Sequence, residues 1–506
     1  MNKLITPFIL FPLAITLVAT PILRAEDIPA ARRAGDLKPA ENVKKTMVSY
    51  PADQKFLIPQ KHQYHQTLTM KLFLSEAKFD GKLKHKDNGK SEVFLNYEQT
   101  LEMIRRMDNL TLGIPKIIYI VGWQYNGHDS KYPAWFEGNP RLKRPQDANS
   151  LDSLKWLMKE AEAYHTTVSL HINMFDAYED SPLWDEYVKK DIIAKNADGS
   201  LRPCEWGYPI SYAREWETGC VQKRIDALCA LLPIQHAGTI HIDAFHTWPP
   251  VPTPAPDGKT YVEKDKGVIS PYLKFTVADE TEAQRNIFRY WAQKGIDVTS
   301  ESVAFLRETA FEGYQPMAWW FNGGLNAYLK WPAAFYCGGR DNTEWGMLFG
   351  SSMHGEDIVR KEPESLAGFK EQFCLKTAVW YYLNRLQRLY LLNGQEYQSV
   401  QFSDNVRTYL SKDDQYRVTQ GEVTLVEDTD VLIPALWMGT GSMLAYSKKG
   451  YANRSWTLPA NWQDAKEVQL TRITDEGSTK PELIKPVAGK LDLTLAKDTM
   501  ILIEKL

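Results

Sequence analysis

The chain has 506 residues, enough for two or three domains or for one barrel with additions. Lys+Arg number 60 against Asp+Glu 63, a formal net charge of −3, so no basic field is present to recruit nucleic acid or an anionic membrane surface. Aromatic residues make up 12%, with 16 Trp and 25 Tyr; such rings fill cores and also stack on the flat faces of sugars.

The N-terminus reads as an address. Lys3 precedes an apolar stretch at 4–19 interrupted by Pro7 and Pro12, and Leu23-Arg24-Ala25 comes just before Glu26-Asp27. A signal peptide at 1–25, removed after Ala25, is expected, with no membrane span afterwards and export to a secreted, periplasmic or cell-surface location. Residues 26–62 are polar and read as an N-terminal extension.

From residue 63 strands and helices alternate. Strands are expected at 68–74, 114–121, 166–173, 238–243 and 295–301, from β-branched and apolar runs. Helices are expected at 97–112, 150–164, 217–232 and 280–294, where apolar residues recur at helical spacing. This order implies βαβ units and a parallel sheet, and the length to about 400 suits an α/β fold of the (β/α)8 TIM-barrel type over 63–400. A doubly wound sheet is the alternative, but no Gly-rich phosphate loop follows a strand. After a helical stretch at 369–391, residues 405–506 show short β runs and turn residues, the pattern of a C-terminal antiparallel β-sandwich domain.

Five cysteines, Cys204, Cys220, Cys229, Cys337 and Cys374, are too few for a disulfide scaffold, although Cys204 and Cys220 could close a loop. No CxxC or HExxH spacing occurs, so no metal and no cofactor is expected.

The chemistry gathers where the strands end. Asp243 closes the apolar run Thr239-Ile240-His241-Ile242, and a carboxylate there costs desolvation unless it is paired or used. Glu301 ends the next strand. Two carboxyl groups flanking an anomeric carbon are what glycosidic cleavage requires, and neighbouring strand ends about 4.8 Å apart suit the roughly 5–5.5 Å of a retaining mechanism. Asp243 is the candidate nucleophile and Glu301 the candidate acid/base. A buried ion pair is the structural alternative for Asp243, and a surface acid for Glu301. His128, Asp129, His171, Asn173 and His246 are candidate hydroxyl-binding groups, since carboxylate and imidazole together hold adjacent hydroxyls through charge-assisted bonds. Trp123, Trp206 and Trp248 are candidate stacking rings, with a core role the alternative for each.

The segments IIYIVGWQYNGHDSKYP, VSLHINMFDAY, GTIHIDAF and IDVTSES together resemble the catalytic barrel of glycoside hydrolase family 101, the endo-α-N-acetylgalactosaminidases, and the related family 129. The resemblance runs from about 64 to 400. It implies Asp243 as nucleophile, Glu301 as acid/base and Asp129 on the sugar hydroxyls, with an O-glycosylated glycoprotein or glycopeptide as substrate. Family 101 enzymes are usually much larger, and the long Pro-rich loop at 249–270 departs from them, so the reaction class carries over better than the length of glycan released. An α-glycosidase for another sugar, such as an α-galactosidase, and a non-catalytic carbohydrate-binding barrel are the competing expectations.

Overall fold

The computed structural model describes residues 43–50, 58–80, 84–204, 206–243, 245, 268–301, 313–319, 324–334, 344–350, 354–355 and 366–506, with the side chains of 301, 318–319, 344 and 354–355 excepted. Residues 42–506 form one compact unit. Among the described residues, seven strands build a parallel sheet: β1 (Leu68–Phe73), β2 (Lys116–Val121), β3 (Thr166–Asn173), β4 (Thr239–Asp243), β5 (Asp297–Glu301), β6 (Ala318–Trp319) and β7 (His354–Gly355). Their order is β6-β5-β4-β3-β2-β1-β7, and each pairing is parallel.

Parallel neighbours need a long crossover, and helices supply it here: Tyr97–Thr111, Ser150–Glu160, Cys220–Leu231 and Val277–Gln293 link successive strands from β1 to β5. The first starts where Asn96 accepts from Gln99 N while the Gln99 side chain accepts from Asn96 N, a reciprocal cap. It ends at Leu112, whose left-handed φ of 54° turns the chain out of the helix. Its buried stripe, Met103, Ile104, Met107 and Leu110, follows the helical period.

The sheet has two unlike faces. Met70, Leu72, Ile118, Ile120, Leu170, Ile172, Ile240 and Ile242 enter one core with Leu154, Leu157, Ile225, Leu228 and Ile287 of the helices. Each such side chain contributes roughly 1.5–3 kcal/mol on burial. The alternate residues, Thr69, Lys71, Tyr119, Ser169, His171, Thr239, His241 and Thr299, are also buried but polar. They pair among themselves: the Tyr64 and Tyr119 hydroxyls lie 2.7 and 2.6 Å from Thr239 Oγ1, and His241 Nδ1 lies 2.9 Å from Thr299 Oγ1. Asp297, at the start of β5, accepts from the backbone N–H groups of Lys61 and His62.

The C-terminal region differs from expectation at its start. The helical stretch runs only through Ala367–Gln372, a π-helical turn at Phe373–Thr377 and Ala378–Asn384; Arg388–Asn393 is already a strand. The buried Arg388 guanidinium donates to the carbonyls of Phe349, Gly350 and Trp331, which ties this strand to the helical region. From there a large antiparallel sheet runs to Thr499–Lys505, and Lys44–Met47 from the N-terminal extension, at its edge beside Arg388–Asn393, completes twelve strands among the described residues. Trp456, Trp462, Leu491 and Leu493 make a second core against one face of this sheet. Among the described residues no disulfide joins Cys204 to Cys220, so they do not close a loop. No described helix is long and apolar enough to cross a membrane.

Candidate active site

The loop after β2 is held against the strand Ser75–Phe79 by glycines. A Cβ on Gly122 (φ +80°) would stand 1.8 Å from the Ser75 carbonyl oxygen, and one on Gly127 (φ +118°) 2.8 Å from the Glu76 backbone. Only glycine permits that approach in that conformation. The contact lets His128 N donate to Ser75 O at 3.0 Å and Ala77 N donate to His128 O at 3.1 Å. Asp129 follows with φ +62°, a sterically costly conformation for a residue with a side chain. Its carboxylate accepts from Lys84 Nζ at 2.8 Å and lies 3.4 Å from His128 Nε2.

On β3, His171 is 2% exposed, and neither ring nitrogen has a hydrogen-bond partner. Burial, with His241, Lys71 and His128 adding, holds its pKa well below the ordinary imidazole value, so it is neutral. Asn173 ends the strand and is the register partner of Asp243. Its amide oxygen accepts from the N–H groups of Phe175 and Asp176, and its Nδ2 donates to Asp176 Oδ2 at 2.7 Å. Burial, reinforced by the Asp129 charge, pushes Asp176 up to about 8 against the opposing bond from Asn173 and the Lys84 charge. Asp176 is therefore a protonated carboxyl at neutral pH.

Asp243 stands at the C-terminal end of β4, with Oδ1 3.8 Å from His171 Nε2 and its side chain 16% exposed. One ligand atom from each of His128, His171 and Asp243 lies within 4.8 Å of the other two. The imidazoles form a row, His128 to His171 at 5.4 Å and His171 to His241 at 5.1 Å between ring centroids, the latter pair stacked. Glu301 is the last residue of β5 and follows Ser300, which registers with Ile242 on β4. The two candidate carboxyl residues thus close adjacent parallel strands.

The other expected residues separate. Trp123 is fully buried and donates Nε1–H to the His171 carbonyl at 3.2 Å, so it props β3 and presents no ring to a sugar. Asn173 has its amide engaged by its own turn. Trp206 is 38% exposed. Its neighbour Gly207 is pressed against Tyr178, where a Cβ would stand 3.0 Å from the ring. His246 and Trp248 lie outside the described residues.

Sequence pattern alone assigns no role to Lys84, Asp176, Tyr132 or His241. His241 had a signal, since strand alternation puts it on the same face as Asp243. Tyr132 is buried beneath the site, and its hydroxyl is pushed up by burial, then by the Asp129 and Asp243 charges. Lys84 had none, because its role depends on a strand hairpin folding over the β2 loop.

The sequence profile described as Endo-alpha-N-acetylgalactosaminidase (Glyco_hydro_101) matches residues 87–251. This stretch is similar to glycoside hydrolase family 101. It takes in His128, Asp129, His171, Asn173 and Asp243 and stops before Glu301. Among solved structures, the chain is similar to the alpha-N-acetylgalactosaminidase NagBb from Bifidobacterium bifidum (quadruple mutant), at 13% identity and TM-score 0.49 over 70% of this chain and 57% of that one. It is similar also to the GH36 alpha-galactosidase AgaA from Geobacillus stearothermophilus, at 12% identity and TM-score 0.43 over 87% of this chain and 55% of that one. An alpha-amylase from Geobacillus thermoleovorans aligns at 11% identity and TM-score 0.41, over 88% of this chain and 99% of that one. The chain spans little more than half the length of NagBb. No curated protein matches the sequence significantly.

Proposed function

We propose that this chain is a secreted retaining glycoside hydrolase that cleaves α-linked N-acetylgalactosamine, or Gal-GalNAc, from the Ser/Thr O-glycans of mucin-type glycoproteins. In this reading the parallel strands belong to an eightfold (β/α)8 barrel over 63–400, a β-sandwich domain occupies 405–506, and residues 1–25 direct export. The observation that carries it is Asp243 at the end of a parallel strand, on the polar face of the sheet and inside the stretch similar to family 101, with Glu301 ending the adjacent strand.

Asp243 attacks the anomeric carbon while Glu301 gives its proton to the departing serine or threonine oxygen, leaving a glycosyl ester on Asp243. Glu301, now a carboxylate, takes a proton from water, and the hydroxide equivalent displaces Asp243 with net retention. A neutral His171 beside Asp243 itself sets no positive charge against the nucleophile. The Lys84–Asp129–His128 group offers fixed donors and acceptors to adjacent hydroxyls.

Mass spectrometry of sugars released from a mucin glycopeptide is the test. Free GalNAc or Gal-GalNAc, absent with Asp243→Asn, is expected. Release of another sugar, or none from any α-glycoside, defeats the reading.

A further inference from the structure

His128, His171 and Asp243 come from three separate chain segments, yet each puts a metal-competent atom within 4.8 Å of the other two. Two imidazoles and a carboxylate form a donor set suited to first-row divalent ions of the zinc class, and one that leaves coordination positions open. Around a tetrahedral zinc ion, with bonds of roughly 2.0–2.2 Å, ligand atoms stand about 3.4 Å apart. His171 Nε2 and Asp243 Oδ1 are 3.8 Å apart already, so a shift of a few tenths of an ångström brings them to a common ion. The second observation is His171 itself: 2% exposed, with both ring nitrogens lacking any hydrogen-bond partner. A buried imidazole with nothing to bond is costly unless a ligand completes it.

We propose that His128, His171 and Asp243 bind a single divalent ion of the zinc class, and that the ion and the sugar exclude each other at this site. Exclusion rests on the glycosidase reading above; ion binding does not. The site is reversible and inhibitory rather than permanently metallated. A resident metal's histidine ordinarily donates its second N–H to a carboxylate or carbonyl, and His171 Nδ1 has no such acceptor. The ion also takes the carboxylate that must attack, so the metallated enzyme is inactive while metal is bound.

Calorimetric titration of chelator-treated, full-length protein with Zn²⁺ tests the binding. One equivalent is expected to bind, with affinity falling about 100-fold or more in His171→Ala and in the half-buried His128→Gln. His236→Ala, an exposed histidine, is expected to leave the titration unchanged. Circular dichroism confirms that each variant is folded; if His171→Ala fails to fold, His128→Gln decides. No binding, or binding insensitive to both site variants, overturns the proposal. For exclusion, Zn²⁺ is expected to raise KM for an α-GalNAc nitrophenyl glycoside without changing kcat, with EDTA restoring activity. Inhibition that lowers kcat alone overturns that part. Tight, variant-sensitive zinc binding in a protein that cleaves no glycoside leaves the ion site standing and removes the glycosidase reading.

Discussion

Along Thr239–Asp243 successive residues enter two environments: Ile240 and Ile242 join the apolar core with the helices, whereas Thr239, His241 and Asp243 lie on the opposite face. That face carries His171 of β3, Thr299 of β5 and the Tyr119 hydroxyl. The backbone is common to both faces; only side-chain chemistry differs. On the apolar side any well-fitting hydrocarbon contributes roughly in proportion to its buried area. On the polar side each group must find a partner, because an unmet donor or acceptor costs about 1–3 kcal/mol. His171 stands out because it lacks one. Stability is thus concentrated on one face and chemistry on the other.

The sharpest way to break this division is Asp243→Asn. Turnover is expected to fall at least about 1000-fold, as for loss of a nucleophile, with little change in melting temperature. A folded variant that keeps its turnover would remove Asp243 from the chemistry.

Ile242→Ala, one residue away, should do the reverse. A loss of about 2–5 kcal/mol is expected in denaturant unfolding, with kcat per folded molecule retained. A large drop in kcat with stability intact would mean the faces are not separable.

Asp176 sharpens the comparison through pH. Its pKa is raised to about 8 in the fold from an ordinary 3.8, so the folded state holds a proton that the unfolded state has lost. The unfolded chain binds fewer protons across that window, so this group's contribution to stability is greatest below about pH 4. It declines as pH rises toward about 8 and is level above that. Asp176→Asn keeps an acceptor for Asn173 and should flatten the fall, as read by melting temperature against pH. An unchanged profile would show that Asp176 is ionised.

The smallest effect is expected far from the site. Asn96→Ala removes the cap of helix Tyr97–Thr111 and should cost about 1 kcal/mol without altering turnover.

Much of the scaffold was legible in the residues. Thr166–Asn173 is found at its expected bounds, and the four crossover helices lie within a few residues of theirs, because apolar periodicity and caps are local properties. The start of the C-terminal sheet was not legible: 369–391 has helical spacing throughout. Arg388–Asn393 becomes a strand because Lys44–Met47 and Tyr397–Phe402 pair with it from either side, and no local pattern reports such partners. The candidate site was legible in part. Asp243 and Glu301 do close adjacent strands, and His128 lies near Asp243, whereas Trp123, read as a stacking ring or a core residue, is a buried prop.

By itself, then, the sequence determined the five parallel strands and four crossover helices between 68 and 301 and which strand ends carry acids, since steric preference and hydrophobic period act over a few residues. Tertiary structure alone decided that Lys84 reaches Asp129, that Asp176 keeps its proton and that His128, His171 and Asp243 share one small volume. Those outcomes depend on distances and on burial between segments remote in sequence. Charge and coordination respond to such distances directly, and residue order does not encode them locally.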